Sequence, residues 1–148
     1  MKKIVLALCL AIVATIGLCG IALTSPKPTI VTPADLKWSP FPGLPGAQIA
    51  VLYGDPNSSG SYTIRLKLVD GTKIAPHWHP DDERVTVLSG TFMVGLGDEM
   101  DASKMTALPA GSFVYIPAGI RHYAMAKGDV VIQSTGMGPF KMNMVKSP

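Results

Sequence analysis

From Ser61 to Val69 the apolar residues Tyr62, Ile64, Leu66 and Leu68 alternate with Thr63, Arg65 and Lys67. Successive strand side chains point to opposite faces, so this run predicts a strand with one buried face. Further short β-prone runs are Gln48 to Tyr53, Lys73 to His79, Arg84 to Leu88, Thr91 to Leu96, Ser112 to Ile116, Arg121 to Ala126 and Val130 to Ser134. Turn residues cut them apart, among them Gly54-Asp55-Pro56-Asn57 and Asp70-Gly71. Asp98 to Met105 alone reads as briefly helical. Many short strands separated by Gly and Pro predict an all-β sandwich or barrel, whose edges must be closed or covered.

Alternation carried through the middle of the chain turns Ala75, His77, His79, Glu83, Val85 and Val87 inward and Ile74, Trp78 and Leu88 outward. An outward apolar row is normally covered, either by another part of the chain or by a second subunit in a homodimer. A cover is available upstream. Thr24 to Gly46 carries six prolines and cannot be a regular helix or a central strand. It reads as an extended arm whose Trp38, Phe41 and Leu44 lie against the domain. The arm is assigned to residues 23–46 and the barrel to residues 47–148.

Residues 1–22 have a different character. Lys2 and Lys3 precede the apolar run Ile4 to Leu18, and Gly20-Ile21-Ala22 offers small residues where a signal peptidase reads. This is the layout of a cleaved secretory signal, which predicts a periplasmic or extracellular protein. An uncleaved membrane anchor is the competing reading, because the apolar character continues to Leu23. Lipidation at Cys19 is a third, against which Leu18 stands in the preceding position. Both cysteines, Cys9 and Cys19, fall in this segment, so a chain cut after Ala22 has no disulfide.

A chain of 148 residues suits one domain with one core. Its 13 Lys and Arg face 10 Asp and Glu, and without Lys2 and Lys3 the balance is nearly neutral. No clustered basic patch is present, which argues against a nucleic-acid partner. No repeat period is visible.

The candidate chemistry sits in two clusters bounded by Gly and Pro. The first runs Gly71, five residues, His77-Trp78-His79, three residues, Glu83, six residues, Gly90. Residues two apart on a strand project together, so His77 and His79 share a face while Trp78 turns away. Pro80-Asp81-Asp82 supplies a turn that lets Glu83 open the next strand beside them. The second cluster runs Gly111, five residues, Pro117-Ala118-Gly119, two residues, His122. There His122 starts a strand that can face the first cluster, with Arg121 and Tyr123 pointing away from it. Three imidazoles and one carboxylate suit a divalent first-row ion such as iron, manganese, nickel, copper or zinc, with up to two octahedral positions open. The chain has three histidines, and all three fall in these clusters. With the offsets fixed, random placement gives that about once in five thousand trials.

These clusters resemble the two motifs of the cupin superfamily, and every spacing from Gly71 to His122 fits the pattern. One position departs: Ala126 stands where the pattern ends in Asn, which is not a metal ligand. The resemblance implies a double-sheet jelly-roll barrel holding one metal through His77, His79, Glu83 and His122. It also implies a small-molecule ligand or substrate. With every histidine committed to the metal and Glu99 the one other glutamate, few protein acids or bases remain. An oxygen-using, dioxygenase-like metal enzyme is therefore the leading expectation. A binding or sensing protein without turnover is the alternative.

Overall fold

The computed structural model describes residues 27–146, so the expected signal segment and the first residues of the arm lie outside the described residues. Among the described residues no helix is long and apolar enough to cross a membrane.

Among the described residues nine antiparallel strands form one sheet: β1 (Ser39–Pro40), β2 (Gln48–Tyr53), β3 (Gly60–Leu68), β4 (Lys73–Trp78), β5 (Glu83–Leu96), β6 (Thr106–Pro109), β7 (Phe113–Ile116), β8 (His122–Gly138) and β9 (Asn143–Met144). The sheet folds over on itself because β5 and β8 are long and bent. One layer is β1, β2, β3, the second half of β8, the first half of β5, and β7. The other is β9, β4, the first half of β8, the second half of β5, and β6. This is the expected jelly-roll arrangement.

The long strands differ from the separate runs expected at Arg84 to Leu88 and Thr91 to Leu96, and at Arg121 to Ala126 and Val130 to Ser134. The glycines taken as breaks are bends inside continuous strands. Gly90 and Gly128 both sit at φ +73°, a left-handed conformation that costs glycine little, and the β5–β8 register slips between Val87 and Thr91. Backbone bonds brace the corner from both sides, Gly71 N to Ala126 O at 3.1 Å and Gly111 N to Val87 O at 2.8 Å. Ala126 also donates to Thr72 O at 2.9 Å.

Period two holds in β3, where Tyr62, Ile64, Leu66 and Leu68 are buried in one cluster with Val85 and Val87 from β5 and Ile132 from β8. Each such aliphatic side chain contributes roughly 1.5–3 kcal/mol by leaving water. Alternation fails in β4. Ile74 was expected outside but is buried, and Ala75 was expected inside but is exposed. The β4–β8 register shifts between Ile74 and His77, around Pro76, which has no N–H to give the ladder. The shift restores His77 to the inner face. Leu88 is exposed and Trp78 half-buried, as expected of the outer face, with Trp78 paired to Asn143 of β9.

The arm behaves as its apolar residues suggest. β1 pairs with β2, Phe41 and Leu44 pack on the core, and the Lys67 ammonium lies 4.1 Å from the Trp38 ring centroid. The helical reading of Asp98 to Met105 reduces to a 3₁₀ turn at Ala102–Lys104, capped by the Asp101 carboxylate accepting from Ser103 N at 2.9 Å. β6 and β9 were not expected from the sequence.

Candidate metal centre

The fold's open end gathers the ends of three strands. His77 lies near the end of β4 and His79 just past it, while Glu83 opens β5 and His122 opens β8. His77 and His122 are direct ladder partners, with ring centroids 4.2 Å apart. The His79 ring is 5.0 Å from His77 and 5.4 Å from His122. All three are buried, and each offers a ring nitrogen within 4.8 Å of the other two.

The hydrogen bonds fix which nitrogen that is. His77 Nδ1 is 2.7 Å from Ala75 O, His79 Nδ1 is 2.6 Å from Lys141 O, and His122 Nδ1 is 3.0 Å from Ile120 O. A carbonyl oxygen can only accept, so every Nδ1 carries the proton and donates. Each neutral ring is left with a bare lone pair on Nε2. Glu83 adds another acceptor: its Oε1 takes the Ser134 hydroxyl at 3.1 Å, and its Oε2 stands 3.6 Å from Nε2 of both His79 and His122. That distance is too long for a hydrogen bond and short enough for the groups to share a cation. Lone pairs crowded in a buried site repel unless something positive lies among them. Three imidazoles able to offer Nε2 and one carboxylate, each backed by a second hydrogen bond, are a donor set that fits a first-row divalent ion.

The electrostatics agree. Burial foremost, then the neighbouring His122, pushes His77 down to about 4, so it stays neutral and able to coordinate at ordinary pH. Burial raises the Glu83 carboxyl, but a proton on His122 or His79, together with the Ser134 hydroxyl, outweighs it and holds the carboxyl below its ordinary value in the metal-free site. It therefore presents a negative charge.

The loops are tied to one another as well. Gly119 N donates to His79 O at 2.9 Å. The Asp82 carboxylate accepts from Ala118 N at 3.0 Å and from the Tyr115 hydroxyl at 2.9 Å, and Arg84 lies 3.4 Å away. Phe140 packs its ring 5.3 Å from His79 while the adjacent Lys141 carbonyl holds that imidazole. The outward residues stay out of the centre: Arg121 pairs with Asp98 on the surface, and Glu99 is exposed. Tyr123 is fully buried beneath the 97–105 segment, its hydroxyl donating to Asp101 O at 3.2 Å.

Sequence reasoning missed Asp82, Ser134, Phe140 and the Lys141 carbonyl. Asp82 stood next to Glu83 and was assigned only a turn role, and the inward parity of Ser134 followed from the Val130 to Ser134 run. Nothing in the sequence marked the Lys141 carbonyl.

Residues 26–141 match the family described as the ChrR cupin-like domain. The chain belongs to this cupin family. No curated protein matches the cupin in sequence. Its fold is similar to that of the polyketide cyclase RemF from Streptomyces resistomycificus, with 16% identity, a TM-score of 0.68, and 82% of this chain and 88% of that one covered. It is also similar to a structure of a proposed acetylacetone dioxygenase from Methylibium petroleiphilum PM1, with 20% identity, a TM-score of 0.64, and coverage of 80% and 83%. KdgF from Halomonas sp. aligns with 21% identity, a TM-score of 0.57, and coverage of 72% and 91%. At these identities the likeness is one of fold.

Proposed function

We propose that this cupin is an exported metal protein in which His77, His79, Glu83 and His122 hold one divalent transition-metal ion, and that it acts as an oxygen-using enzyme on a small molecule. The observation that carries the reading is the convergence of three Nδ1-anchored imidazoles and the Glu83 carboxylate on one buried point. When bound, an ion with open positions supplies a Lewis-acidic and, for iron, manganese or copper, redox-active centre. The protein supplies anchoring, orientation and a dry cavity. Backbone carbonyls hold the imidazole protons at Nδ1, Ser134 fixes the Glu83 carboxylate, and Leu66, Val85, Phe92 and Ile132 exclude water from the inner side. Apart from the four donor residues the cavity is lined by apolar side chains, so among the described residues no separate general acid or base stands ready. The export part of the proposal rests on Lys2, Lys3, the Ile4 to Leu18 run and Gly20-Ile21-Ala22.

The test is metal analysis of the purified protein, followed by oxygen uptake with a panel of enediols and catechols. Metal-dependent uptake by at least one compound is expected. A metal-loaded protein that binds one of them, consumes no oxygen and returns it unchanged would replace the enzyme reading with metal-dependent binding or sensing.

A further inference from the structure

The cavity beside the four donor residues measures about 30 Å³, room for one or two water-sized groups. A larger molecule reaches the metal centre only if a wall moves. Apart from His79, Phe140 and Met142, every residue lining the cavity sits on β3, β4, β5, β7 or β8. Those walls are costly to displace. Moving Ile116, for example, breaks the β5–β7 ladder at its pairing with Glu83, one of the donors. Phe140 and Met142 belong instead to a strap, residues 139–145, that runs from the end of β8 through β9.

The strap is lightly held. Phe140 N donates to Pro56 O at 2.6 Å, Val145 N donates to Pro76 O at 2.9 Å, and β9 pairs with β4 over two residues. Phe140 and Met142 are half-buried on its inner side, while Lys141 and Met144 are exposed. Beyond the strap, on the arm side, lies a groove of about 470 Å³ that shares Phe140 and Met142 with the cavity. Segments with short ladders and few buried contacts open locally while the rest of a fold stays intact. The same strap carries the His79 anchor. Lys141 O takes the Nδ1 proton at 2.6 Å, and the Phe140 ring lies 5.3 Å from the imidazole, centroid to centroid.

We propose that residues 139–145 are the gate of the metal centre. In the closed form Phe140 and Met142 seal the cavity. In the open form the cavity joins the arm-side groove, and His79 loses its carbonyl anchor in the same movement. Entry of a ligand and loosening of one donor are then a single event. The inference rests on the metal reading above and adds the route to the centre and its control.

The experiment measures release of Zn(II) from the zinc-loaded protein to the chromogenic chelator 4-(2-pyridylazo)resorcinol. Phe140→Ala takes the ring out of the closed form and should speed release about tenfold or more. Val94→Ala enlarges the same cavity from the opposite wall without touching the strap, and should release zinc at close to the wild-type rate. Trp78→Cys, Asn143→Cys joins ladder partners on β4 and β9. Oxidised, this pair should release zinc about tenfold more slowly than when reduced, and a phosphine reductant should restore the rate. Wild type, whose cysteines are Cys9 and Cys19, passes through the same oxidation as the control. A locked protein that gives up zinc as fast as its reduced form overturns the gate, as does a Phe140→Ala rate no faster than that of Val94→Ala. In either case the metal centre stands. A wild type that holds no zinc overturns the metal reading and the gate with it. Should Phe140→Ala fail to fold, the locked pair decides alone.

Discussion

Acidifying the metal-free protein charges a histidine that the fold keeps neutral. The His77 imidazole has an ordinary value of 6.5 and lies at about 4 in the folded protein, first through burial and then through the neighbouring His122. Between those values the unfolded chain binds a proton that the folded chain refuses, so acid favours unfolding. The neutral His77 costs nothing above pH 6.5, and the penalty grows as the pH falls to about 4. A gap of 2.5 between the two values, at about 1.4 kcal/mol per unit, removes about 2 kcal/mol by pH 5 and about 3 kcal/mol by pH 4. For a domain of this size, that loss at pH 4 lowers Tm by roughly 10 °C. The assay is thermal denaturation in EDTA at pH 7, 5 and 4, comparing wild type with His77→Gln. Exposed carboxylates titrate in both proteins and cancel in the comparison. Glu83 is held below its ordinary 4.5, so its stabilisation is lost only as the pH falls below that value, and pH 5 separates the histidine effect from the carboxylate one. If His77→Gln loses as much stability between pH 7 and 5 as wild type, burial of a neutral His77 is not what the fold imposes.

Other outcomes follow from particular contacts. Gly95→Ala places a methyl 2.3 Å from the Tyr123 ring, which should cost about 1–3 kcal/mol in chemical denaturation without altering metal stoichiometry. Asp82→Ala frees the Ala118 amide and the Tyr115 hydroxyl; metal transfer to a competing chelator should become several-fold faster, and Tyr115→Phe should have a smaller effect. Glu83→Gln keeps an oxygen donor but removes its charge, so metal content should persist while redox behaviour or rate changes more. Equal loss of metal and activity would speak against that division.

The strand pattern was legible because β3 buries one face, and period two then dictates which side chains enter the core. The metal residues were legible because ladder geometry makes His77 and His79 neighbours, and the Gly and Pro positions mark turns that bring Glu83 and His122 alongside. Harder to read were effects that depend on where the sheet folds over. Gly90 and Gly128 look like strand ends in sequence, and only the paired strand across the bend shows that the ladder continues. The burial of Ile74 depends on a slip at Pro76 that no alternation rule contains. The anchor of His79 is a main-chain carbonyl 62 residues away, and a carbonyl has no residue-type signature.

Metal stoichiometry tests the central claim most directly. Mass-spectrometric metal analysis of the purified protein should find one divalent transition-metal ion per chain in the wild type. The His77→Ala, His122→Ala double variant should remain folded by circular dichroism and hold none, since two of its converging lone pairs are gone. Full occupancy in that folded variant would place the metal elsewhere and contradict the account.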